Sequence, residues 1–155
     1  MKTLVLGLGN PIMGDDAVGL RVVQEVRRRL GDSSAIQVEE CYAAGVGLLD
    51  RMVGYDALVV VDAVRSGQPR GTLLTPRPEQ LPSQPDGIDF HGMGLLGVLT
   101  LGERLGLPMP RRVAIVGVAV EGEFEVREGL SPEVERAVPQ AAERVLEELR
   151  CMSSP

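Results

Sequence analysis

The sequence predicts one α/β domain, a sandwich of helices around a mostly parallel sheet, and three observations carry that prediction. An uninterrupted aliphatic run of strand length, Ala57-Leu58-Val59-Val60-Val61-Asp62, has the pattern of a strand covered on both faces, the usual condition in a parallel sheet. Runs of this kind alternate along the chain with stretches of helical periodicity, as βαβ units require. The opening segment changes period within a few residues. Thr3-Leu4-Val5-Leu6 is strand-like, then Gly7, Gly9, Asn10, Pro11 and Gly14 break regular structure, and helical spacing sets in after Asp15-Asp16. At 155 residues the chain is long enough for a core of its own. Residues 1–150 are expected to form the single domain and 151–155 a frayed tail.

The elements follow in order. Residues 2–8 read as the first strand and about 16–30 as the first helix, with Val22, Val23, Val26 and Leu30 on one stripe and Gly31 just past its end. Residues 35–40 form a second, shorter strand, followed by a Gly-rich turn and a modest helix through Leu48, Leu49, Met52 and Val53. The strand at 57–62 closes on Asp62, and Gly71–Thr75 reads as a further strand at an edge. Residues 76–88 carry Pro76, Pro78, Pro82 and Pro85 and make a long loop, a feature often functional in compact domains. A helix is expected from Asp89 to about 105, and a last core strand over 112–120. Ser131-Pro132-Glu133 is a helix start, with Ser as N-cap and Pro at the first helical position. Val134, Val138, Ala142, Val145, Leu146 and Leu149 share one face of that final helix, which Pro139 is expected to kink or to split from its first turns.

Composition narrows the function classes. Hydrophobic residues make up 44% and charged residues 25%, as in ordinary soluble domains, and with 3% aromatics and no Trp the core must be aliphatic. A net charge of −6 argues against a nucleic-acid partner, because binding phosphates needs a basic face. The clusters Arg27-Arg28-Arg29 and Arg111-Arg112 are short and have acids nearby. No stretch reaches the length of a membrane span, and the apolar N-terminal run is too short for a signal peptide. Cys41 and Cys151 lie far apart, so a structural disulfide is not expected, and a reducing cytoplasm is.

Three polar residues share one topological property. Asp16 follows the first strand, Asp62 closes the strongest one, and His91, the single histidine, opens a helix after the long loop. In a doubly wound sheet all three belong to one rim, at the carboxyl ends of the strands. Two carboxylates and an imidazole suit a divalent transition metal, and equally suit metal-free acid–base work with His as proton carrier. Each also has a simpler reading: Asp15 or Asp16 as a cap of the first helix, Asp62 as a turn-former, His91 as a cap or surface residue. Cys41 is a rival centre as a nucleophile, or else a small buried hydrophobe, and Glu40 beside it is the better rim group. Gly7-Leu8-Gly9 begins a dinucleotide fingerprint, but Ile12 stands where the third glycine belongs, which argues against NAD.

Gly7-Leu8-Gly9-Asn10-Pro11 with Gly14-Asp15-Asp16-Ala17-Val18-Gly19 resembles the hydrogenase maturation endopeptidases, small enzymes that trim the C-terminal extension of nickel–iron hydrogenase large subunits. The resemblance runs nearly end to end, through Asp62-Ala63, His91 with Gly94-Leu95, Val116-Gly117-Val118 and Gly129-Leu130-Ser131-Pro132. It implies a three-layer α/β/α sandwich around a twisted sheet. It also implies that Asp16, Asp62 and His91 are the metal-binding and catalytic trio, meeting nickel already installed in the precursor, with other divalent metals able to substitute. Asn10 and Glu40 are the candidates for contacting the substrate, and a cytoplasmic monomer is expected. Where the family commonly has Asp-Gly-Gly, this chain has Glu40-Cys41-Tyr42, and Val120-Glu121-Gly122-Glu123-Phe124 lacks an expected proline. Two alternatives belong to other classes. Peptidyl-tRNA hydrolases share a Gly-x-Gly-Asn-Pro opening, but place a catalytic His where this chain has Asp15-Asp16, and their tRNA substrate calls for a basic surface. A metal-sensing or chaperone-like module would bind the large subunit without cutting it.

Overall fold

The computed structural model describes residues 1–42, 45–77, 94–122 and 125–154. Most of the long proline-containing loop, the expected helix start at Asp89, and His91 lie outside the described residues. Strand β1 (Thr3–Leu8) leads through a 3-10 turn (Gly14–Ala17) into helix α1 (Val18–Leu30). Then come β2 (Ile36–Cys41), a second 3-10 turn (Gly45–Leu48), a short α2 (Leu49–Met52) and β3 (Ala57–Val64). A two-residue β4 (Leu73–Leu74), α3 (Leu95–Arg104), β5 (Arg112–Ala119) and α4 (Pro132–Ser153) complete the chain.

The strands form one sheet in the order β2-β1-β3-β5-β4, parallel except for β4, which runs antiparallel to β5. Alternation along the strands builds two cores. Val5, Val59, Val61 and Val118 face α1 and α4, whereas Leu4, Leu6, Leu58, Val60 and Ile115 face α2 and α3. The result is the three-layer sandwich that the resemblance implies. After β1 the chain goes to β2 on one side and then returns to β3 on the other. The switch point, with its crevice for ligands, is therefore between β1 and β3.

Two glycines let the layers meet at that point. A Cβ on Gly19, in the first turn of α1, would lie 2.4 Å from the carbonyl oxygens of both Leu8 and Val61. A Cβ on Gly9, at φ +153°, would lie 2.2 Å from the carbonyl oxygen of Asp16. The close helix packing that Ile12 denies to a dinucleotide fingerprint is thus provided here by Gly19.

Several expectations are corrected. β3 continues past Asp62, because Ala63 and Val64 pair with Val118 and Ala119, so Asp62 sits inside the strand. The edge strand near 71–75 shrinks to Leu73–Leu74. Helix α4 extends to Ser153, into the segment expected to fray, where Met152 is buried and its carbonyl accepts a hydrogen bond from Arg112. It also runs unbroken through Pro139. Pro139 and Glu135 are exposed, so the carbonyl deprived of its donor meets water, while buried Ala137, Val138 and Ala141 hold both sides to the sheet. Pro139→Ala restores the missing bond and is expected to stabilise the protein by about 1 kcal/mol, read by thermal unfolding.

On the exposed edge of the sheet, Thr3 and Gly9 donate to the carbonyls of Ala35 and Cys41. The odd-numbered residues of β2 therefore pair with β1, and Val38 points its carbonyl outward. Arg27 of α1 donates to that carbonyl at 2.7 Å.

Candidate active site

Asp16 is 5% exposed and belongs to the 3-10 turn between β1 and α1. Its Oδ2 accepts the Asn10 N–H at 2.9 Å, and its own N–H donates to the Met13 carbonyl at 3.2 Å. Asn10 Oδ1 accepts the Ile12 N–H at 3.2 Å, an Asx turn that sets the bend after β1. The expectation that Asp15 or Asp16 caps α1 is corrected: the N-cap of α1 is Ala17, with no side-chain bond. The Asp15 carboxylate instead accepts the Ser131 N–H at 2.7 Å and the Ser131 hydroxyl at 2.8 Å. It serves the N-terminus of α4.

Asp62 is fully buried, and its Oδ1 accepts the Ala63 N–H at 2.8 Å. Its β3 neighbours Leu58, Val60 and Val64 on the same face are all core aliphatics. Placing a carboxylate among them is expensive unless it is bonded or paired, and such a site is a candidate for chemistry. Val61 pairs with Gly7, so Asp62 stands about 5 Å from the last residue of β1 across the ladder. The turn that carries Asp16 packs against β3. Asp16 and Asp62 therefore both lie at the switch point. Among the described residues no group of three His, Cys, Asp or Glu is placed to hold a metal ion; His91 is not among them.

The other candidates separate. Glu40 lies in β2, and its carboxylate accepts from Gln24 Nε2 at 2.9 Å and pairs with Arg27 at 3.7 Å, which commits it to α1. Cys41 is 1% exposed and packs in the core with Leu8 and Leu48, the place of a small hydrophobe. Asn10 is exposed beside Asp16. Arg70 and Arg127 carry no signal in the sequence, yet with Asp15, Glu121 and Ser131 they line a cleft of about 330 Å³ beside the Asp16 turn. Arg127 joins the turn through the backbone, donating to the Ile12 carbonyl and accepting from Gly14 N–H, both at 2.9 Å. No local pattern marks a partner so distant in the chain.

Two acidic side chains at the switch point of a doubly wound sheet stand where α/β proteins of this class bind their ligands. The sequence model of the hydrogenase maturation protease family (HycI) matches residues 20–148. The chain belongs to that family and is a peptidase. It is 34% identical to the hydrogenase 2 maturation protease of Escherichia coli (strain K12) over 152 residues, covering 97% of this chain and 92% of the relative. It is also 32% identical to the hydrogenase expression/formation protein HupD of Thiocapsa roseopersicina over 150 residues, covering 96% and 67% of the two chains. The solved structure of the hydrogenase maturating endopeptidase HybD from E. coli superposes with a TM-score of 0.83 at 32% identity, over 99% of this chain and 94% of that one.

Proposed function

We propose that this peptidase removes the C-terminal extension from the large-subunit precursor of a nickel–iron hydrogenase after nickel has been inserted, acting as a cytoplasmic monomer. The observation that supports it is the pairing of Asp16 with Asp62 at one rim, in a chain of this family. Nickel arrives as part of the substrate. Asp16 and Asp62, joined by His91, offer it a borderline-hard donor set of two carboxylates and an imidazole, which other divalent metals would also accept. Held there, the precursor has its scissile carbonyl beside a carboxylate able to orient a water. The water oxygen bonds to the carbonyl carbon, its proton passes to the carboxylate, and the C–N bond breaks as that proton goes to the leaving amine. Metal recognition confines the cut to loaded precursor.

The test is the intact mass of a large-subunit precursor incubated with the protein, nickel-loaded and nickel-free side by side. Loss of a C-terminal peptide in the loaded sample alone is the expected result. Equal cleavage of both samples overturns the nickel requirement. Binding without any mass change overturns the peptidase reading in favour of a chaperone-like module.

A further inference from the structure

We infer that Asp15 is a positioning residue, fixing the turn that carries Asp16 by tying it to the start of α4. The inference rests on the peptidase reading above, since it assigns what holds that reading's carboxylate in place.

The backbone bonds of the turn are long. Met13 donates to the Asn10 carbonyl and Asp16 to the Met13 carbonyl, both at 3.2 Å, and isolated 3-10 turns have poor hydrogen-bond geometry. A shorter internal bond, from the Asn10 N–H to Asp16 Oδ2 at 2.9 Å, depends on where Asp16 points. The shortest contacts reach outward. Asp15 makes two of them, both charge-assisted, to the N–H and hydroxyl of Ser131, and its side chain is 11% exposed. Such bonds are the stronger class. Arg70 flanks the same carboxylate, with Nε 3.7 Å from Oδ2.

The anchor is itself rigid. Ser131 is buried, it is the N-cap of α4, and its carbonyl accepts the Glu135 N–H at 2.8 Å. Beyond it Val134, Ala137 and Val138 are buried in the core that β3 and β5 share. The positive end of the α4 dipole adds to the hold on the carboxylate.

Geometry links the anchor to Asp16. Consecutive residues on a 3-10 turn project about 120° apart, at three residues per turn. With Asp15 held toward α4, Asp16 is turned away from it, toward β1, where its Oδ2 takes the Asn10 N–H. Capping alone does not require this arrangement. Ser131 makes no side-chain cap bond of its own, and its hydroxyl is given to the neighbour of Asp16 instead.

The experiment compares the full-length protein with Asp15→Ala and Asp15→Asn, measuring nickel-loaded precursor cleavage and residue-resolved amide exchange. Asparagine keeps an oxygen for the Ser131 N–H and an amide that can bond the hydroxyl, so it retains the tie without the charge. Asp15→Ala is expected to lower kcat about 100-fold with KM little changed, the scale of a misplaced reacting group. Exchange at Asn10, Gly14 and Asp16 is expected to rise about tenfold or more, since each of the two charge-assisted bonds lost is worth roughly that factor, with β1 and β3 unaffected. Asp15→Asn is expected to recover most of both. Wild-type kcat in Asp15→Ala overturns the inference, as does equal loss in both variants with exchange unaltered, which would make charge the cause. Loosening spread over the whole core also overturns it, because Asp15 would then be a general stabiliser. If the wild-type protein cleaves no loaded precursor, the peptidase reading fails, and exchange alone decides the tie: loosened in Asp15→Ala and restored in Asp15→Asn supports it, and unaltered exchange overturns it.

Discussion

Asp62→Asn is expected to slow removal of the precursor's C-terminal peptide by about 100- to 1000-fold, the range for losing one preorganised electrostatic group. The variant is well suited to separate chemistry from folding. Asparagine has the shape of aspartate, and its Oδ1 can keep the Ala63 N–H that Asp62 accepts at 2.8 Å. What it removes is the negative charge at a fully buried position. Because the shape and the Ala63 bond are kept, the variant is expected to stay folded, with a melting temperature close to that of the wild type. Single-turnover mass spectrometry on loaded precursor, with a thermal melt on the same sample, reads both quantities. Wild-type cleavage by Asp62→Asn would remove Asp62 from the site.

Gly19→Ala is expected to be strongly destabilising. Its Cβ would sit 2.4 Å from two backbone oxygens, those of Leu8 and Val61, and neither can rotate away as a side-chain end can. Overpacking of this kind costs about 3 kcal/mol or more, which for a domain of this size lowers the melting temperature by roughly 6–12 °C. Activity is expected to fall as well at temperatures where the variant stays folded, because the relief available is for α1 to lift off β1 and carry the Asp16 turn with it. A melt within a degree or two of wild type would mean that α1 has room to slide.

These two positions differ in how far the sequence reveals them. Asp62 is legible as the first polar residue after an aliphatic run, close to the carboxyl end of β3 although not its last residue, and in a parallel sheet every strand's carboxyl end faces one way. The same logic places Asp16. Gly19 gives no such signal: it lies within a helical pattern, and only the approach of β1 and β3 shows what a side chain there would meet. Asp15 was open to a local reading as a cap of α1, and its partner Ser131 is 116 residues away, a pairing that no periodicity encodes. Glu40 lies near the carboxyl end of β2, but its side chain meets Gln24 and Arg27 of α1, and the face it takes depends on the side of β1 to which β2 adds. The extra length of β3 likewise comes from its pairing with β5. Local patterns fix the element types; the crossovers that order the strands leave no local trace.

The guanidinium of Arg27 on the outward carbonyl of Val38 bears on self-association. An edge strand with open carbonyls is a template on which another copy, or any extended chain, can add by backbone pairing. The acceptor in the middle of β2 is already occupied by a cation that a passing strand would have to displace. The middle of this edge is thereby guarded against annealing by a second copy or by any other extended chain.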